Sequence, residues 1–142
     1  MSPRNFKIIE HTADIGVEVT GARLDHLFIH AAEAMFSLLA FRKDSTPARS
    51  AGRAVPVCIK AANSEELLVA WLNELLSLSA VKDVIFTEFH IATVTNTYLK
   101  GYARPEAVSR YRMKAELKAA TYHQLSLVHK GASWKAKVIF DV

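Results

Sequence analysis

Only one cysteine, Cys58, occurs in 142 residues. That excludes an internal disulfide and any cysteine-based zinc or iron–sulfur cluster held within a single chain. Glycine and proline are scarce too, at five and four, while 51% of residues are hydrophobic and 23% charged. A collagen-like, low-complexity or mainly disordered chain is therefore ruled out. No apolar run approaches the roughly 18 residues that a bilayer span requires. The opening Met1-Ser-Pro-Arg-Asn leads straight into strand-like alternation, with no signal-peptide core. Walker A, GxGxxG and nucleophile-elbow motifs are missing, so no organic cofactor is expected. These absences predict a soluble protein of a reducing, cytoplasmic compartment with no membrane partner.

What is present suits one ordinary domain over residues 1–142. A chain of this size buries about two-thirds of its unfolded surface, enough to fold without a structural metal. The formal net charge of +4 permits contact with RNA or an acidic partner but demonstrates neither. Oligomeric state is not readable.

The hydrophobic pattern changes period along the chain. Phe6 to Glu10 reads as a strand, interrupted by His11-Thr-Ala-Asp14. Ile15 to Thr20 then alternates strictly, with Ile15, Val17 and Val19 on one face. From Leu24 to Leu39 the spacing becomes helical, with Leu27, Phe28, Ala31, Met35 and Leu38 on one stripe. Residues 42–53 lose the pattern and read as a polar, mobile loop carrying four basic side chains. Ala54 to Lys60 is a strand in which Pro56 suits an edge. Asn63-Ser-Glu-Glu66 resembles a capping box before a second helix with Leu67, Leu68, Trp71, Leu72 and Leu75 buried. Strands follow at 84–95 and 98–103, joined near Asn96, and a hairpin at 122–129 and 133–141 turns at Lys130-Gly131-Ala132. Residues 105–113 read as a loop. The predicted architecture is α+β: a mostly antiparallel sheet of six or seven strands with two amphipathic helices packed on one face.

Polar side chains gather next to strand ends in three places: His11-Thr-Ala-Asp14, Lys118-Ala-Ala-Thr-Tyr-His123 and the terminal Asp141-Val142. Each has a structural reading as well as a functional one. Asp14 could bond backbone amides at the strand interruption, Lys118 could be a solvated strand lysine, and Asp141 a frayed terminal acid. The strand pattern nevertheless continues to the last residue, which sets Asp141 beside the α-carboxylate of Val142. With Asp14 nearby, three carboxylates would converge and repel unless a cation or a basic neighbour such as Lys118 intervened. All-oxygen donors suit calcium, magnesium or manganese rather than zinc. His11, three residues before Asp14, could orient it from behind. Cys58 and Trp71 read as structural, in a strand and a helix stripe respectively.

The stretches HTADIGVEV at 11–19, LFIHAAEAMFSLL at 27–39, LLVAWLNELL at 67–76, KAATYHQLSL at 118–127 and VIFDV at 138–142 together resemble the archease family over nearly the whole chain. The resemblance implies a partner, an RtcB-type RNA ligase. That enzyme uses GTP and divalent metal to join RNA ends bearing a 3′-phosphate or 2′,3′-cyclic phosphate. The family promotes guanylylation of the ligase and its repeated turnover in tRNA splicing and RNA repair, without being a ligase itself. It also implies a divalent-cation site, calcium above all, on Asp14, Asp141 and Val142, and a partner-activating role for Lys118. The segment 101–113 departs from the family pattern, with Tyr102 following Gly101. Two other classes remain beside this one: a small metal-dependent phosphodiesterase and a basic RNA-binding module.

Overall fold

The computed structural model describes residues 5–10, 14–43 and 52–142. His11 and residues 44–51 of the polar segment lie outside the described residues. In chain order the elements are β1 (Phe6–Glu10), β2 (Asp14–Gly21), α1 (Leu24–Leu39), β3 (Ala40–Arg42), β4 (Val55–Lys60), α2 (Ser64–Lys82), β5 (Val84–Val94) and β6 (Tyr98–Ala107). A single 3-10 turn at Val108–Arg110 leads to β7 (Tyr111–Met113), β8 (Ala119–Ala120), β9 (Ser126–Lys130) and β10 (Ser133–Asp141).

The α+β architecture is the one the hydrophobic pattern predicts, and every strand pair among the described residues is antiparallel. A five-stranded sheet runs β1-β2-β10, with β9 and then β8 continuing along the far edge of β10. A three-stranded sheet runs β4-β6-β5, and β3 pairs with β7. Both helices touch each other and strands of both larger sheets. The expected strands are all present, with shifted limits. The predicted loop at 105–113 is the end of β6, the 3-10 turn and β7. The last hairpin starts at Ser126, because Tyr122 to Leu125 form a turn closed by the Leu125 N–H on the Tyr122 carbonyl (3.2 Å).

Helix α2 begins as its sequence dictates. The Asn63 side chain accepts from the Glu66 N–H at 2.9 Å, and the Glu66 carboxylate accepts from the Ala62 N–H at 3.1 Å. One orphan amide at the helix start is thereby satisfied, and the Glu66 carboxylate ties down the residue just before the cap. Its far end is an αL cap, Asp83 at φ 56°, whose N–H bonds the Ser79 carbonyl.

The core lies between the helices and the sheets. Phe36 of α1 packs edge-on to Phe86 (ring centroids 5.9 Å apart) and stacks on Phe89 (5.8 Å). Trp71 is fully buried, and its Nε1–H donates to the Phe28 carbonyl at 2.9 Å. That satisfies the one polar atom of the indole. Glu106 is fully buried as well and is held by Arg42, by the Tyr111 hydroxyl (3.1 Å) and by Arg110. Pro56 sits on an edge strand, and Pro105 lies on β6 just past the point where β4 stops, so neither removes a needed ladder bond.

Candidate functional site

The site is fixed by the register between β2 and β10. Ile15, Val17 and Val19 oppose Phe140, Val138 and Ala136 on the core-facing side. Burying that apolar set puts the intervening residues on the opposite face, and the end pair of that face is Asp14 opposite Asp141. Directly opposed residues project to the same side with Cβ atoms about 4.5–5.5 Å apart. Two carboxylates separated by most of the chain therefore share one end of one sheet face. A slip of one residue in either strand would turn that strand's carboxylate toward the core. Beneath them, Ile139 is 1% exposed, and its Cδ1 fills the space that a side chain at Gly16 would take, 2.6 Å from the Cβ position.

Asp14 is half-buried, and its Oδ1 is buried with no hydrogen-bond partner among the described residues. A buried carboxylate oxygen left without a donor costs on the order of 1–3 kcal/mol or more, so the atom calls for a cation or a donor. Asp14, Ile139, His123 and Gln124 line a cleft of about 80 Å³ at this point, large enough for a water or a small ion. Lys137 Nζ donates to Gln124 Oε1 at 3.0 Å and steadies the cleft wall.

Lys118 is brought to the same place by its backbone. Its N–H donates to the Asp141 carbonyl at 2.9 Å, and the next residue, Ala119, pairs with Asp141 in the ladder. The two-residue strand β8 is clamped on its other edge by Asn73 of α2. Asn73 Oδ1 accepts from the Ala120 N–H at 2.7 Å, and its Nδ2 donates to the Ala120 carbonyl at 3.1 Å. The side-chain amide thus acts as one further residue of sheet. Thr121 follows with its N–H and its hydroxyl both on the Ile139 carbonyl (2.9 Å each). No ion pair joins Lys118 to Asp14 or Asp141 among the described residues, and Lys118 is exposed.

The structure thus brings Asp14, Asp141, Val142 and Lys118 to one sheet end, while His11 lies outside the described residues. Asn73 and His123 join the site without having been assigned a role from sequence. His123 stood in the KAATYH segment, but Asn73 gave no signal beyond being a polar residue in an apolar helix stripe. Among the described residues no three His, Cys, Asp or Glu side chains come together as a metal cluster. The two aspartates supply two carboxylates, and the third would be the one Val142 presents at a chain terminus. That donor set is all oxygen, and with the orphaned Asp14 Oδ1 it fits a hard divalent ion.

The fold defines a small α+β protein in which two carboxylates are paired where its first long strand meets its last. Residues 6–142 match the Archease protein family (MTH1598/TM1083), and the chain belongs to that family. It is 33% identical to the protein archease of Methanosarcina acetivorans and 31% identical to that of Methanosarcina barkeri. Each alignment covers 98% of this chain and 97% of the relative. Its fold matches the solution structure of Methanobacterium thermoautotrophicum protein 1598 with a TM-score of 0.77 at 28% identity, over 99% of this chain and 100% of the other. The crystal structure of a Thermotoga maritima archease, described as a possible chaperone, shares the fold with a TM-score of 0.64 at 24% identity over 96% of each chain. No helix among the described residues is long and apolar enough to cross a membrane.

Proposed function

We propose that residues 1–142 work as one domain, a non-catalytic cytoplasmic activator of an RtcB-type GTP-dependent RNA ligase in tRNA splicing and RNA repair. Membership of the archease family supports the partner. The observation that carries the site is the direct pairing of Asp14 with Asp141, with Asp14 Oδ1 buried and unpartnered. In this reading Asp14, Asp141 and the Val142 carboxylate hold a divalent cation, calcium in preference to magnesium or manganese. When bound, the ion neutralises the converging carboxylates and supplies positive charge at the sheet end. The chain's own residues do the positioning. The β2–β10 ladder aims the two aspartates, Asn73 fixes β8, and β8 holds Lys118 beside them at the surface offered to the ligase. The Lys118 ammonium acts there as a point charge toward phosphate of GTP or RNA, with RNA reached through the ligase.

The test is ligase guanylylation and multiple-turnover joining of RNA ends, with and without this protein. The native chain is expected to raise the guanylylated fraction and to allow many joining events per ligase. Asp14→Asn keeps the size of the side chain but removes its charge. It should lower calcium affinity and ligase stimulation at least about 10-fold with unchanged circular dichroism, since a direct ligand should matter no less than the outer-shell partners of a metal. A ligase indifferent to the protein would refute the reading. Hydrolysis of a cyclic-phosphate RNA end by this protein alone would replace it with the phosphodiesterase.

A further inference from the structure

The outward face of the three-stranded sheet lies apart from the carboxylate site, and the reading above leaves it unused. Along β6 its outward positions are Tyr98, Lys100, Tyr102 and Arg104, an alternation of ring and cation, while Leu99 and Ala103 between them are fully buried. Register places Lys60 opposite Tyr98, Cys58 opposite Lys100 and Pro56 opposite Tyr102 on one side. On the other it places Thr93 opposite Lys100, His90 opposite Tyr102 and Glu88 opposite Arg104. An exposed sheet face is ordinarily covered with polar side chains. This one carries three rings and three permanent cations.

The rings are arranged rather than scattered. His90 and Tyr102 stack with centroids 4.6 Å apart and planes 15° from parallel. The Arg104 guanidinium lies 5.5 Å from the Tyr102 ring centroid. Gly101 lets the two strands approach at this step, since a Cβ there would stand 2.2 Å from the His90 carbonyl oxygen. Glu88 is the one acid at these positions among the described residues, and it is already engaged by His90 (3.0 Å) and Arg104 (3.5 Å). At its Pro56 edge the face runs into a cleft of about 360 Å³ lined by Arg53 and Lys82.

We infer that this face binds single-stranded RNA, with bases stacking on the Tyr102–His90 pair and on Tyr98 while Lys60, Lys100 and Arg104 meet the phosphates. Every base has a π-face, so an aromatic platform interleaved with cations recognises unpaired strands with little regard to sequence. The Arg53–Lys82 cleft offers the backbone a cationic path off the sheet. An acidic peptide would satisfy the cations but leave the rings without a function, so the rings decide for RNA. The inference concerns the isolated protein and stands whether or not the ligase is its partner.

Fluorescence anisotropy with a labelled single-stranded RNA of about 12 nucleotides tests it, a length within the range one such platform covers. The logarithm of affinity should fall linearly with the logarithm of salt, with a slope of about −2 for three phosphate contacts, and Lys100→Ala should reduce that slope by about 0.7. Tyr102→Ala should weaken binding roughly 5- to 100-fold and Tyr102→Phe much less, because the ring is kept. His90→Ala, at an exposed position, should weaken binding in the same direction without touching the core. Amide resonances at 57–60, 88–93 and 98–104 should shift on titration, and those at 14, 118 and 141 should not. Absence of binding at low salt would overturn the proposal. So would RNA affinity insensitive to both Tyr102→Ala and His90→Ala, or displacement of RNA by polyglutamate as efficient as by unlabelled RNA.

Discussion

Lys118 is positioned by its amide, not by its ammonium: the N–H bonds the Asp141 carbonyl while the side chain stands exposed. Two roles can be separated on that basis. A lysine that held the carboxylates together would be needed for stability when no ion is bound. A lysine that acts on a partner would be dispensable for the fold. The geometry favours the second, so Lys118→Ala should change the unfolding free energy measured in urea by no more than about 0.5 kcal/mol, as for an ordinary surface position, while ligase stimulation collapses. Lys118→Arg should restore part of that stimulation, since charge is kept and shape is not. A Lys118→Ala protein that stimulates the ligase normally would remove the residue from the site. Asn73 has the opposite character, half-buried and bonded to both backbone atoms of Ala120. Asp14, Lys118 and Asp141 were legible in the sequence because short motifs mark them. Asn73 was not, because its partner lies 47 residues further on and belongs to a strand too short to be recognised.

At the scale of elements, long periodic segments were readable and short ones were not. The stripes of α1 and α2, the alternation of β2 and β10 and the Asn63 cap all follow from local pattern. Strands β3, β7 and β8 have three, three and two residues. Such lengths carry no measurable period, and what makes them strands is the neighbour each one finds. The alternation of rings and cations in β6 was not singled out from the sequence, where the strand was expected to end at Ala103. Its meaning depended on β5 and β4, which set His90 and Lys60 beside it through non-local register. The helix cap gives an element-scale prediction. Asn63→Ala removes the acceptor for the Glu66 N–H and should cost about 1 kcal/mol in chemical denaturation, with an unchanged m-value. An effect below a few tenths would mean that water serves the helix start equally well.

For the whole molecule, the proposed cation, held by both strands at one end of the β2–β10 ladder, would be linked to global stability. Anything that binds only the folded chain stabilises it by RT ln(1 + [L]/Kd), about 2.7 kcal/mol at one hundred times Kd. Calcium should therefore raise the melting temperature by several degrees. Asp14→Asn, or residues appended after Val142, should abolish most of the rise, whereas an amino-terminal tag should leave it intact. Appended residues turn the Val142 carboxylate into a neutral amide and remove one full charge from a partly dehydrated site. A melting temperature indifferent to calcium would count against the site as a whole.

The place of β10 in the sheet also sets an order of events during synthesis. It is the last made of the ten strands among the described residues, yet it lies between β2 on one side and β8 and β9 on the other. Until translation has passed residue 141, β2 waits with one edge unpaired, an open row of amides and carbonyls that could recruit another chain. Contacts of such long sequence separation are slow to form, because the loop they close must first be ordered. Asp14 acquires its neighbour Asp141 only after the nine preceding strands have all been made. The carboxylate pair therefore forms only once β10 has been made, and a chain truncated before that strand lacks it however well its first hundred residues fold.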